Sequence, residues 1–144
     1  MAKTFRLRIV SPERVVMDQQ VQSVRVPGVD GSFGLPSNHA PLITATEPGL
    51  LRFVDEGGQG TDLLVTDGFV EVSNECVTIA AEEGEFAHEI DVEAAREAEK
   101  HARDLLANRA SLAEEDVLKA EAQLRRQIAR QFIGQRTGGR FDRN

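Results

Sequence analysis

His39 is the side chain with the most suggestive setting for chemistry. It stands in Gly28–Leu42, a run with three glycines and two prolines in fifteen residues. Glycine permits positive φ and proline fixes φ, so the run reads as two tight turns around a short apolar strand. Phe33, Leu35 and Leu42 are spaced to bury, and Asp30 lies upstream. A histidine acting as general base needs an orienting carboxylate or carbonyl and a surrounding pocket. Neither is visible in the sequence, and a catalytic His39 would have to find Glu71 or Asp67 across the fold. Between Asn38 and Ala40-Pro41, histidine also serves as a turn residue whose ring bonds to backbone. Structural or interface use is the expected role.

The other chemical candidates are weaker. Cys76 falls in a strand pattern without a neighbouring base, and Gly57-Gly58-Gln59-Gly60 lacks the lysine and following helix of a phosphate loop, so a hairpin tip is expected. One cysteine and three scattered histidines (His39, His88, His101) have no metal-ligand spacing. Glu82-Glu83-Gly84-Glu85 and Glu114-Glu115-Asp116 lack the alternating ligands of a calcium loop and read as solvated acidic surface. No catalytic residue, cofactor or metal is expected.

Two architectures must carry these residues. Up to about residue 90 the apolar period is two. Phe5, Leu7 and Ile9 alternate with Arg6 and Arg8, Val24 and Val26 flank Arg25, Phe69, Val70 and Val72 surround Glu71, and Val77 and Ile79 flank Thr78. Short β-rich runs between frequent turns give an all-β sandwich or barrel of about eight to ten strands. From Asp91 no glycine or proline intervenes until Gly134, and helix formers dominate. Asp91 is the expected N-cap of a first helix, with Val92, Ala95, Ala98, Ala102, Leu105 and Leu106 as its stripe. Glu97–His101 and Glu99–Arg103 lie four apart on its exposed side. Ser111-Leu112-Ala113-Glu114 predicts a capping box opening a second helix, with Ala113, Val117, Ala120, Leu124, Ile128 and Phe132 as the second stripe and an end at Gly134. The expected organisation is a sandwich over 1–88, an antiparallel two-helix hairpin over 89–134 and a basic tail over 135–144. The alanine-rich seam buries little area, so the hairpin needs a surface to lie on and could exchange one surface for another.

Charge is divided unevenly. Residues 1–118 carry 10 basic and 22 acidic side chains, a net of −12, and residues 119–144 carry seven basic against two acidic, a net of +5. A basic end on an acidic body points to an acidic partner surface, or to folding back on the chain's own acidic part. Nucleic acid is a poor fit, because the acidic body repels phosphate and only Phe132 and Phe141 could stack on bases. No apolar run approaches a membrane span, and the N-terminus enters a strand pattern directly, so the protein is expected to work where it is made.

The residues resemble one family closely. Phe5-x-Leu7-x-Ile9-Val10-Ser11-Pro12-Glu13 is similar to the first strand and turn of the epsilon subunits of bacterial and chloroplast F-type ATP synthases, called delta in mitochondria. Gly31-x-Phe33-Gly34-Leu35-Pro36-x-Asn38-His39-Ala40-Pro41-Leu42 resembles their Gly-x-Leu-Gly-Ile-x-Pro-Gly-His-Ala-Pro-Leu signature. Asp67-Gly68-Phe69-Val70-Glu71-Val72 with Val77-Thr78-Ile79 resembles their Gly-Gly-Phe-x-Glu-Val and Val-Thr pair, and the likeness covers residues 3–133.

The resemblance implies a non-catalytic central-stalk subunit that turns with the rotor, couples proton flow to ATP synthesis and inhibits ATP hydrolysis through its C-terminal helices. It implies the gamma subunit, the c-ring and the alpha/beta subunits as partners, and a peripheral position on the cytoplasmic face of the bacterial plasma membrane, or the stromal side of the thylakoid. Val29, Asp30, Gly31 and Ser32 correspond to the c-ring contact, where many members carry glutamate at the position of Ser32. His39 and Leu42 correspond to the gamma contact. Arg125, Arg126 and Arg130 correspond to the inhibitory helix that meets an acidic segment of beta. The alternative role is an ATP-sensing switch. Members that bind ATP at the hairpin carry Ile/Leu-Asp-x-x-Arg-Ala, and here Ile90-Asp91-Val92-Glu93-Ala94-Ala95 puts Ala94 where the arginine stands. Arg96 lies roughly 200° further around the helix, so weak or absent ATP binding is expected.

Overall fold

Alternation builds the strands as the sequence implies. The computed structural model describes residues 3–29, 31–36, 40–73 and 75–136, so Asp30, His39 and the tail from 137 lie outside the described residues. Nine strands are described: β1 (Phe5–Val10), β2 (Val15–Gly28), β3 (Gly31–Pro36), β4 (Leu42–Thr46), β5 (Gly49–Asp55), β6 (Gly60–Val65), β7 (Gly68–Ser73), β8 (Cys76–Ala81) and β9 (Gly84–Phe86). Their order is β1-β8-β7-β4-β2-β5-β6-β9, with β3 on β2 and β1 returning to β2. β2 spans the sandwich. Its first half pairs with β1, its second half pairs with β3 and β5, and the register shifts between Val21 and Ser23. β1 runs parallel to β8, a pairing between opposite ends of the sandwich sequence.

Phe5, Leu7 and Ile9 meet Val24, Val26, Leu35, Leu51, Leu63, Val70, Val72, Val77 and Ile79 in one main core. Arg6 and Arg8 project outward onto Asp18, whose carboxylate accepts from Arg6 Nε at 2.8 Å and Nη2 at 2.7 Å. Gly57-Gly58-Gln59-Gly60 is a hairpin tip. Asp55 Oδ1 accepts from the Gly57 and Gln59 amides at 2.9 Å, and Gly58 takes φ +89°. Gly68, inside the Gly-Phe-x-Glu-Val motif, sits where β7 crosses β8 closely. A Cβ there would stand 1.9 Å from the Ala80 carbonyl oxygen.

The helices follow: a single 3-10 turn at Ala87–Glu89, α1 (Val92–Ala107), another 3-10 turn at Arg109–Ser111, and α2 (Glu114–Gln135). Asp91 caps α1, its Oδ1 accepting from the Ala94 amide at 3.0 Å, and Glu99 pairs with Arg103 at 2.8 Å. Two helical expectations are corrected. The capping box at Ser111 does not form. Ser111 closes the preceding 3-10 turn, its hydroxyl donating to the Asn108 carbonyl at 2.9 Å, and α2 starts after Ala113 with no side-chain cap. The second stripe also drifts. Steps of four residues advance about 40° around a helix, so a line through Ala120, Leu124, Ile128 and Phe132 leaves the buried face. Ile128 and Phe132 are exposed, and Gln127, Ile133 and Gly134 are buried instead. The helix ends at Gln135, one residue past Gly134. A Cβ on that glycine would lie 2.8 Å from Val92 and 2.9 Å from Ile90, so its absence lets the end of α2 press on the start of α1.

Candidate functional site

The hairpin lies on a second, small core. Ile133 packs with Leu64, Ala87 and Ile90, flanked by Leu50, Val92 and Ala129. This explains β6, whose Asp62, Leu63, Leu64 and Val65 are all buried. Leu63 and Val65 face the main core, and the hairpin covers the other side. The main core contains no residue of α1 or α2. Between the helices an open groove of about 510 Å³, lined by Ala98, Ala102, Leu105, Leu112 and Ala120, reflects the thin alanine seam.

Beside the second core runs a row of ion pairs. Arg126 pairs with Glu83. Arg130 grips Glu85 with both ends of its guanidinium, Nε to Oε1 and Nη2 to Oε2, each at 3.0 Å. Arg136 Nε donates to Asp62 Oδ2 at 2.8 Å, and Arg52 of β5 holds Oδ1 of the same carboxylate at 3.0 Å. Asp62 is 1% exposed and thus a buried carboxylate shared by two guanidiniums, one from the sandwich and one from the helix end. Planar forks of this kind suit carboxylates better than lysine would. Gln127, buried between, is satisfied by Gln123 at 2.8 Å and by Arg130 Nη1 at 3.0 Å. Glu99 of α1 ties the two helices. Its carboxyl is held below the usual range by the Gln131 amide first and by Arg103 second.

The expected surface residues divide. Arg126 and Arg130 turn onto the sandwich, while Arg125, about 100° away from Arg126, is exposed on the outward line of Leu118, Ile128 and Phe132. The acidic run Glu82-Glu83-Gly84-Glu85, expected to be solvated surface, instead supplies two of the three carboxylates; the reading is corrected because their partners lie more than forty residues on. Ala94 is exposed, and Arg96 is paired with Glu93 on α1's own surface. Val29 is exposed in the β2–β3 turn, and Gly31 takes φ +110°, which a tight hairpin turn requires. Ser32 accepts from Arg25 Nη1 at 3.0 Å. Leu42 packs partly against the main core at the start of β4.

An apolar row was missed by sequence reasoning. Across β1, β8, β7 and β4 the register aligns Val10, Ala80, Phe69 and Ala45. Phe69 is 63% exposed, and Ile43, in the next row beside Glu71, is 71% exposed. The signal was present: in Phe69-Val70-Glu71-Val72, strict alternation puts Phe69 with Glu71 on the outer face. Exposed aromatic and branched side chains gathered on one sheet face mark a docking surface. Among the described residues no group of His, Cys, Asp and Glu is placed to hold a metal ion, and no helix is long and apolar enough to cross a membrane.

Comparison with known proteins places this architecture. Residues 4–87 match the family model described as ATP synthase, Delta/Epsilon chain, beta-sandwich domain. The ATP synthase epsilon chain of Desulforamulus reducens is 43% identical over 130 residues, covering 90% of this chain and 96% of the relative. That of Anaeromyxobacter dehalogenans is 42% identical over 132 residues, with 90% and 97% covered. In fold, the chain is similar to one in the mitochondrial ATP synthase of Euglena gracilis, with a TM-score of 0.75 at 23% identity, over 88% of this chain and 78% of that one. The sandwich matches the family model nearly end to end and the curated relatives extend the match through the hairpin, so this chain belongs to the family of ATP synthase epsilon chains.

Proposed function

We propose that the chain is a non-catalytic central-stalk subunit of an F-type ATP synthase, with the sandwich as its docking body and the hairpin as a movable inhibitory element. It couples proton flow to ATP synthesis by linking gamma to the c-ring. The relatives' name and the Euglena structure, which contains F1 and a c-ring, support this reading. The observation that carries it is the separation of the two cores. The main core is complete without α1 or α2, and the hairpin rests on a small core with a row of ion pairs. A body that stays folded while its hairpin leaves is what an inhibitory switch needs.

The Val10–Ala80–Phe69–Ala45 row with Ile43 meets gamma, together with Leu42; His39, which the family signature also assigns to gamma, lies outside the described residues. The β2–β3 turn, Val29 through Ser32, meets the polar loops of the c-ring. Arg125, Arg126 and Arg130 meet an acidic surface of the alpha/beta subunits when the hairpin extends. The complex holds the chain at the cytoplasmic face of the membrane. Replacing Ile43 and Phe69 by aspartate tests the gamma contact. Both lie outside the main core, so the sandwich should stay folded and co-purification with gamma should be lost. Wild-type co-purification by the double variant would overturn the assignment.

A further inference from the structure

The same guanidiniums cannot serve two partners. Arg126 and Arg130, which the proposed function sends to an acidic surface of another subunit, are engaged here with Glu83 and Glu85. Arg136 joins the row on Asp62. The three carboxylates come from the paired strands β6 and β9 and the turn before β9, so they form one acidic edge of the sandwich facing one side of α2. We propose that this edge is a built-in decoy for the acidic partner surface, a charge latch that sets the balance between docked and released hairpin. The proposal rests on the reading that α2 works by leaving the sandwich.

The pairs are graded along the helix. The grading lies in the carboxylates: Glu83 is 46% exposed, Glu85 22% and Asp62 fully covered, while their arginines, Arg126, Arg130 and Arg136, are 25%, 14% and 34% exposed. Salt screens exposed pairs far more than buried ones. The outer pair is therefore the first to weaken, and Asp62 with Ile133 is the last point of attachment. Arg126 is also imperfectly seated. Its Nε is buried and has no hydrogen-bond partner among the described residues, although its two terminal nitrogens reach Glu83 and Gln123. A buried donor left unpaired favours exchange for a partner that would satisfy it. The apolar seat under Ile133 lies at the end of α2, so the stretch from Leu118 to Arg126 is held to the sandwich mainly by charge. Release then begins in the first half of α2, and Arg126 is freed before Arg130.

The test uses the full chain, with one spin label on the natural Cys76 and a second on Leu118→Cys, an exposed position. Inter-label distances are measured in low salt and in about 1 M salt, where the screening length is about 3 Å. The wild type should shift towards long distances with salt. Glu83→Gln with Glu85→Gln should raise the released-to-docked ratio about threefold to tenfold per pair lost in low salt, and should flatten the salt response. The charge swap Arg130→Glu with Glu85→Arg should return the distribution towards wild type, which a loss of packing could not do. A distribution insensitive to salt and to the glutamine pair, or a swap that fails to restore docking while strand amides keep their protection, would overturn the latch. The readout needs no assembled enzyme. A chain that opens as expected but does not inhibit hydrolysis would sink the inhibitory reading and leave the latch standing, and an inhibitory chain whose distances ignore the carboxylates would sink the latch alone.

Discussion

Replacing Ile133 by alanine should detach the hairpin without melting the sandwich. Ile133 is 1% exposed and fills the small core between Leu64, Ala87 and Ile90. Truncating such a side chain costs about 2–5 kcal/mol from lost transfer energy and the cavity left behind. At about 1.4 kcal/mol per tenfold, the docked-to-released ratio should fall by roughly 30-fold to several thousandfold. None of that loss touches the main core, to which no helix residue contributes. Segment-resolved amide exchange in the full chain reads the difference. Protection across α2 should drop by that factor, because a hairpin with so thin a seam is marginal once free. Protection in β1, β7 and β8 should stay at wild-type level. The neighbouring Phe132→Ala is the matched control. Phe132 is 58% exposed and its described ring contact is to Arg136, 5.9 Å from the ring centroid, so docking should change by about 1 kcal/mol or less. Equal loss of protection in α2 and β7, or equal effects of the two alanines, would refute the two-core account.

Gly68→Ala should act on the sandwich instead. Its Cβ would meet the Ala80 carbonyl at 1.9 Å, a backbone clash costing about 3 kcal/mol or more, seen as a lower Tm with the strands exchanging first. Asp91→Ala should remove about 1 kcal/mol by uncapping the Ala94 amide, measured as faster exchange in the first turn of α1. Acid should loosen the join between the helices. Glu99 titrates below its ordinary 4.5 in the folded chain, so its contribution is complete above that value and fades as pH falls through the lowered one. Exchange of α1 and α2 amides, corrected for intrinsic rate, should accelerate as pH falls below 4.5 and through the lowered Glu99 value, and Glu99→Gln should flatten that change. Calorimetry on the full chain should show no submillimolar ATP binding, since Ala94 offers no guanidinium and Arg96 is paired with Glu93.

Local features were legible in the sequence, and long-range ones were not. The alternation of β1, the tip at Gly57–Gly60, the Asp91 cap and the helix pair all follow from neighbouring residues and their periods. The failed capping box at Ser111 turns on a 3-10 turn that competes for the same hydroxyl. Extending the α2 stripe in steps of four missed the alternation of three and four that keeps Ala120, Leu124, Gln127, Gln131 and Gly134 near one face. Glu83 and Glu85 read as solvent-facing because nothing near them in sequence neutralises them, while their partners sit on a helix 43 and 45 residues on. Asp62 gave no signal at all, since a carboxylate in an apolar strand becomes intelligible once Arg52 and Arg136 are seen on its two oxygens. The basic C-terminal end, by contrast, did announce an acidic surface, and the fold supplies one within the chain.

The most direct test of the account is ATP hydrolysis by the assembled enzyme carrying either the full chain or a chain ending at Ile90, with co-purification with gamma checked for both. The account predicts that the shortened chain still assembles and that hydrolysis rises above that of the full-length assembly. Equal hydrolysis by the two assemblies, in an enzyme otherwise held inactive, would contradict it.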